Sequence, residues 1–167
     1  MAEVTSSGAA TVTLPTDEQI LIRREFDAPK EVVFKAYTTP ELVKRWWHAN
    51  RGVVTIAEID LRVGGTWRYV AIADGGMEVG FHGEYREIVP NEKIVSTEIF
   101  EGMEDTVYPE NATLNTATFT EVDGRTTLEI LVEAPSKEIR DAIIESGMEA
   151  GLQDALTLLE EVAVSLR

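Results

Sequence analysis

His48 and His82 are the only imidazoles in the chain, and there is no cysteine. Metal and acid–base chemistry would have to begin from these two residues. They are separated by 33 residues, and no further imidazole or carboxylate stands at the local spacing of a zinc site. The missing thiols remove thiol catalysis, disulfides and thiolate ligation together. Gly64-Gly65 lacks the Lys-Ser/Thr of a phosphate loop and precedes a strand pattern, so it reads as a bend. No Gly-x-Ser-x-Gly elbow and no Ser–His–Asp grouping occurs. With no catalytic, metal or cofactor constellation in the sequence, the expectation is a protein that is not an enzyme.

What remains is a set of rings: Trp47, Trp67, Tyr69, Phe81, Tyr85 and Phe119. They have two readings, plain core packing or the lining of a cavity in which indole and phenol groups hold the polar end of a ligand. A large cavity cannot be dry. At roughly 24 cal/mol per Å³, an empty void of about 300 Å³ costs about 7 kcal/mol, against a whole-domain stability of about 5–15 kcal/mol. It must hold water or ligand, or be smaller.

The elements that carry these rings follow from periodicity. Gln19–Phe26 (QILIRREF) reads as a first strand with imperfect alternation. Pro29 suits a first helical turn with Asp27 as cap, and Val32, Val33, Ala36 and Tyr37 fall at helical spacing. Thr39-Pro40, or a Thr38–Glu41 capping box, starts a second short helix through Trp46 and Trp47. From Val53 the period changes to two: strands are expected over 53–61, 66–73, 77–89, 93–100, 112–122 and 125–133. Asp74-Gly75-Gly76, Pro90-Asn91 and Asp123-Gly124 mark turns between them, and residues 101–111 form an acidic loop. Trp67 and Tyr69 share one strand face, as do Phe81 and Tyr85, which puts His82 on the opposite, outward face; a one-residue slip would reverse this. Ser136 caps a last helix with apolar residues at 139, 143, 148, 152, 155, 156, 159, 162 and 166. Unbroken, it would span about 40 Å. Gly147 and Gly151 inside it mark a kink, a close approach to the sheet, or room left for a ligand beside Met148 and Leu152.

Thirty acidic against 15 basic residues give a net charge of −15. That balance argues against nucleic acid, whose binding rests on Lys and Arg neutralising phosphates, and against an anionic membrane surface. Residues 94–124 hold seven acids and no base; this is either a solvated surface or a docking face for a basic partner. No run approaches the roughly 20 apolar residues of a membrane span, and the start of the chain lacks the pattern of a signal peptide. The expectation is a cytoplasmic protein, monomer or homodimer, with a flexible lead over residues 1–18 and one domain over 19–167. A chain of 167 residues can bury roughly 70% of its unfolded surface as one domain.

Three segments, FDAPKEVVFKAYTTPELVKRWW (26–47), DLRVGGTWRYVAI (60–72) and FHGEYREIVPNEKIV (81–95), resemble in order and spacing the START-like (SRPBCC) superfamily, in the branch named for the activator of the heat-shock protein 90 ATPase. ESGMEAGLQDALTLLEEV near the C-terminus is similar too, although many members carry Trp where Leu152 stands here. The resemblance implies an α+β helix-grip fold, Bet v 1-like, in which a curved antiparallel sheet wraps a long C-terminal helix and two short helices follow the first strand. It implies three functions: non-catalytic binding of a small hydrophobic molecule, with Trp47, Trp67, Tyr69, Phe81, Tyr85, Phe119, Met148 and Leu152 as lining; stimulation of a chaperone ATPase; or a cyclase or aromatase, for which alternation leaves only Tyr69 and Tyr85 as inward acid–base groups. The first is the expectation carried forward.

Overall fold

The computed structural model describes residues 9–48, 50–101 and 111–167, so most of the acidic loop lies outside the described residues. Among these, eight strands and four helices follow one another: β1 (Thr11–Thr13), β2 (Gln19–Phe26), α1 (Lys30–Thr38), α2 (Pro40–Trp46), β3 (Gly52–Ile59), β4 (Thr66–Ala73), β5 (Glu78–Val89), β6 (Lys93–Phe100), β7 (Thr113–Val122), β8 (Arg125–Glu133), α3 (Lys137–Glu145) and α4 (Met148–Leu166). The strands form one antiparallel sheet in the order β1-β2-β8-β7-β6-β5-β4-β3. The helices lie on its concave side, where α1 and α2 pack on α4. None of the described helices is long and apolar enough to cross a membrane.

Alternation builds the inner face. Ile20, Ile22, Arg24 and Phe26 of β2 point inward, and register continues them into Val132, Ile130, Leu128 and Thr126 of β8. The imperfect alternation of QILIRREF has a cause: Arg24 occupies an inward, fully buried position. Its guanidinium lies 4.8 Å from the Phe26 ring and pairs with Glu160 of α4 at 3.3 Å. Glu160 also accepts the Asp27 backbone N–H, at 2.9 Å, which ties the β2–α1 connection to α4.

Helix starts differ from the expected caps. Asp27 does not cap α1; the free N–H of Lys30 is taken by Glu121 of β7, at 2.9 Å. Thr38 and Thr39 turn their hydroxyls back to Phe34 O and Lys35 O instead of capping α2. Ser136 does cap α3, accepting from Ile139 N–H. Distant side chains have replaced local ones where the sheet brings them within reach.

Two larger expectations are corrected. The described part of the lead is not loose: β1 pairs with β2 (Thr11↔Arg23, Thr13↔Leu21), and the buried Ala10 exchanges two hydrogen bonds with the Gln153 amide, at 2.9 and 2.8 Å. The last helix is not continuous either. It breaks at Gly147, whose φ of 83° lies in the left-handed region, where a side chain is strained. The buried Arg140 of α3 donates to Thr16 O and Gln19 O, at 2.8 and 3.3 Å, which holds α3 over the β1–β2 connection and off the axis of α4.

Candidate functional site

The concave face is closed at one end and open at the other. Leu156, Leu159, Val162 and Ala163 of α4 are buried, in a core with Phe26, Val33 and Leu128. Toward the start of α4 the packing thins: Met148, Leu152, Tyr69, Phe81 and Trp47 are only partly buried. A Cβ placed on Gly151 would meet no atom within 4 Å. Of the readings for that glycine, open space is the one observed, and close approach to the sheet is not.

Rings gather at this open end. Where α2 stops, its two tryptophans part. Trp46 turns into the core, stacked on Tyr37 at 5.6 Å with its indole N–H donated to Ala36 O. Trp47 turns into the concavity, against Tyr69 at 5.4 Å and Phe81 at 6.0 Å. Trp67 lies 4.9 Å from Tyr69, and Phe81 5.1 Å from Phe100. Register explains the grouping, since Ala57, Tyr69, Phe81 and Phe100 form one cross-strand row. In the next row Gly83 leaves room for the Trp67 indole, whose nitrogen would sit 2.7 Å from an added Cβ. That indole N–H is already donated to Thr97 O at 3.2 Å, so it is not free for a ligand.

A polar line crosses the same surface. The β6–β7 register is unbroken from Ile94↔Ala117 through Ser96↔Asn115 to Glu98↔Thr113. Ile94 and Ala117 are core residues, so Ser96, Glu98 and Phe100 share their face. Thr113 donates to Asn115 Oδ1 at 3.0 Å, which leaves Asn115 Nδ2 to donate to Glu98 Oε1 at 3.2 Å. Burial pushes the Glu98 carboxyl above the ordinary carboxylate range, and the Asn115 bond opposes the shift. Burial likewise raises the phenols of Tyr37, Tyr69 and Tyr85, and the charge of Glu98 adds to the effect at Tyr37 and Tyr69.

Of the residues singled out in the sequence, Trp47, Trp67, Tyr69 and Phe81 come together, with Met148 and Leu152 partly buried on the facing stretch of α4. Tyr85 is on the same face and buried. Phe119 is a correction: it packs edge-on to Phe34 and Tyr37 at 5.4 and 5.6 Å in the closed core, only 2% exposed. A second correction concerns acid–base groups, since Glu98 faces inward beside the tyrosines. Glu98, Asn115 and Phe100 were missed. The signal was present in KIVSTEIF, whose alternation puts Ser96, Glu98 and Phe100 with the apolar Ile94.

The convex face carries different chemistry. His82 is outward as expected, with Nδ1 2.6 Å from Glu101 Oε2, while Arg68 holds the same carboxylate from Nη2 at 2.9 Å. The Arg68 and His82 bonds hold the Glu101 carboxyl below its usual range. An open concavity of about 530 Å³ runs along these residues and Glu58. Its charged groups Arg68, His82 and Glu101 already satisfy one another, and among the described residues Trp67 is its one aromatic besides His82, so the inner face, where more rings gather, is the candidate site. Among the described residues no group of three His, Cys, Asp or Glu is placed to hold a metal. His48 sits against Trp47 at 4.5 Å, and burial beside Arg51 lowers its pKa.

A curved antiparallel sheet gripping a C-terminal helix, with two short helices after the strand that leads into them, defines a START-like helix-grip protein. Within that class, the family model described as "Activator of Hsp90 ATPase homolog 1-like protein" matches residues 27–163, and the chain belongs to that family. A Rhodobacter sphaeroides protein of known crystal structure superposes with a TM-score of 0.83 at 25% identity, over 93% of this chain and 99% of that one. A Staphylococcus epidermidis protein solved by NMR gives 0.77 at 28% identity, over 94% and 95%. An HSP90 activator from Plasmodium falciparum gives 0.65 at 23% identity, over 87% and 95%, a likeness of fold. No curated protein sequence matches the chain significantly.

Proposed function

We propose that this protein binds a small, mostly apolar molecule between the inner face of β4–β7 and the first turns of α4, and does not transform it. The observation that carries this reading is the gradient of burial along α4. The rings of Trp47, Tyr69 and Phe81 stay partly uncovered on a concave face, beside a glycine with open space next to it, although a sealed core was available one helical turn away. Partly covered aromatic surface in a concavity is what a small-molecule site needs. Titration with an environment-sensitive hydrophobic dye should show one saturable site and a rise in melting temperature, since binding to the folded state alone stabilises it. Saturation without stabilisation would count against the site. The family description and the Plasmodium relative favour a second reading, action on a chaperone ATPase; stimulation of a purified Hsp90-type ATPase would support it, and no effect at high micromolar concentration would end it.

A further inference from the structure

Glu98 is an ionisable group in a place where an apolar-ligand site has no structural use for one. The sheet does not need it for pairing, because β6 makes its ladder bonds through the backbone. It neutralises no internal cation either: the buried arginines, Arg24 and Arg140, are held by Glu160 at one end of the grip and by Asp141 and backbone carbonyls at another. From the elements around it, the titratable groups that feel Glu98 are Tyr37 of α1 and Tyr69 of β4, and its hydrogen-bonded neighbour is Asn115 of β7. No Lys, Arg or His lies on the inner face of β4, β5, β6 or β7 in the observed register. The inner face of these four strands therefore offers rings, phenols and one carboxyl, with no basic group among its described residues; the basic groups nearest Trp47 are His48 and Arg51, and Arg51 is already paired with Asp154 at 2.7 Å.

Resting on the ligand-binding reading above, we propose that Glu98 is the polar anchor of the cavity and that its ligand is an apolar molecule carrying a basic nitrogen. Three observations converge on that chemistry. The carboxyl is held in place by the Thr113–Asn115 relay, whose two bonds aim an amide donor at one oxygen and leave the other for a guest. The surrounding rings present π faces, which attract cations and suit an organic ammonium better than an anion. An acid such as a fatty acid would bring a second negative charge beside Glu98 with no cation on the inner face of β4–β7 to balance it, an arrangement that low-dielectric surroundings penalise heavily. An ammonium would instead complete a pair, and the net charge of −15 would favour its approach.

The test is a matched set of submicellar dodecylamine, dodecanol and dodecanoate, titrated calorimetrically at about 0.15 M salt so that surface charge is screened. The amine should bind at least about tenfold more tightly than the carboxylate, the size expected for one close charge pair. Glu98→Gln keeps shape and the Asn115 contact, and should weaken the amine about tenfold while leaving dodecanol within about twofold. Glu31→Gln, at an exposed position of α1, controls for adsorption to the acidic surface and should change nothing. Equal binding of amine and carboxylate, or an amine affinity untouched by Glu98→Gln, or an equal loss in both variants, would overturn the anchor while leaving the cavity. Failure of all three probes, dodecanol included, would overturn the cavity as well.

Discussion

Glu98 illustrates how one side chain can work against the fold that holds it. Its carboxyl keeps its proton more tightly in the folded chain than in the unfolded one, because burial disfavours the charged form. A group shifted upward contributes stability that is fully present below its unfolded pKa and lost as pH rises through the folded value. Above the unfolded pKa, burial's opposition to ionising Glu98 is therefore a cost to the empty protein. Glu98→Gln cannot ionise, so it should raise the melting temperature at neutral pH, with the gain disappearing below about pH 4; thermal melts across that range would show it. A loss of stability at neutral pH would mean that Glu98 has an internal cationic partner. Gly83 makes the opposite kind of point, since there a side chain would collide with the Thr97 carbonyl and crowd the Trp67 indole nitrogen.

Among the elements, the last helical stretch shows two glycines with different physics. Gly147 sits between α3 and α4 with φ at 83°, whereas Gly151 lies within the first turn of α4 in open surroundings. Alanine at 147 forces a Cβ into the left-handed region and should cost about 1 kcal/mol, whereas alanine at 151 restores helix propensity and should gain up to about 1 kcal/mol. Urea unfolding of the two variants should move in opposite directions. Two shifts of the same sign would show that the break between α3 and α4 is placed differently. The pattern of apolar residues from 139 to 166 was legible as helix throughout, and helices stand on both sides of the break. Gly147 marked the kink in the sequence; what periodicity could not show is the hold on α3, Arg140 reaching the carbonyls of Thr16 and Gln19, more than 100 residues away in sequence.

For the molecule as a whole, the grip depends on a clasp at the closed end. Arg24 and Glu160 join the sheet to α4 with side chains 1% and 16% exposed, and Arg24 Nε lacks a partner among the described residues. Removing one member leaves a charge buried alone. Glu160→Ala should cost about 3–5 kcal/mol, whereas Arg24→Met with Glu160→Leu should recover most of that loss, because a packed apolar pair replaces a buried ion pair at little net cost. Chemical denaturation of the single and double variants measures both. A double variant as weak as the single one would show that the clasp contributes more than charge balance.

Much of this architecture was legible from local pattern. Strand periodicity placed β2 and β4–β8 to within a residue or two, and the proline-started helices and the Asp123-Gly124 turn fell where turn and helix chemistry require. These features depend on neighbours within a few positions, so they can be read along the chain. Which inward residues seal the core and which face open space is a different question. Phe119 and Phe81 look alike in sequence, yet one is packed by Phe34 and Tyr37 and the other borders the concavity. Nor could the chain alone announce the Thr113–Asn115–Glu98 line, the Glu121 cap on α1 or the Gln153 hold on Ala10. Each of these joins residues that only sheet register and helix docking bring together. A polar side chain's role follows from the partner it meets in space, and linear order does not record that partner.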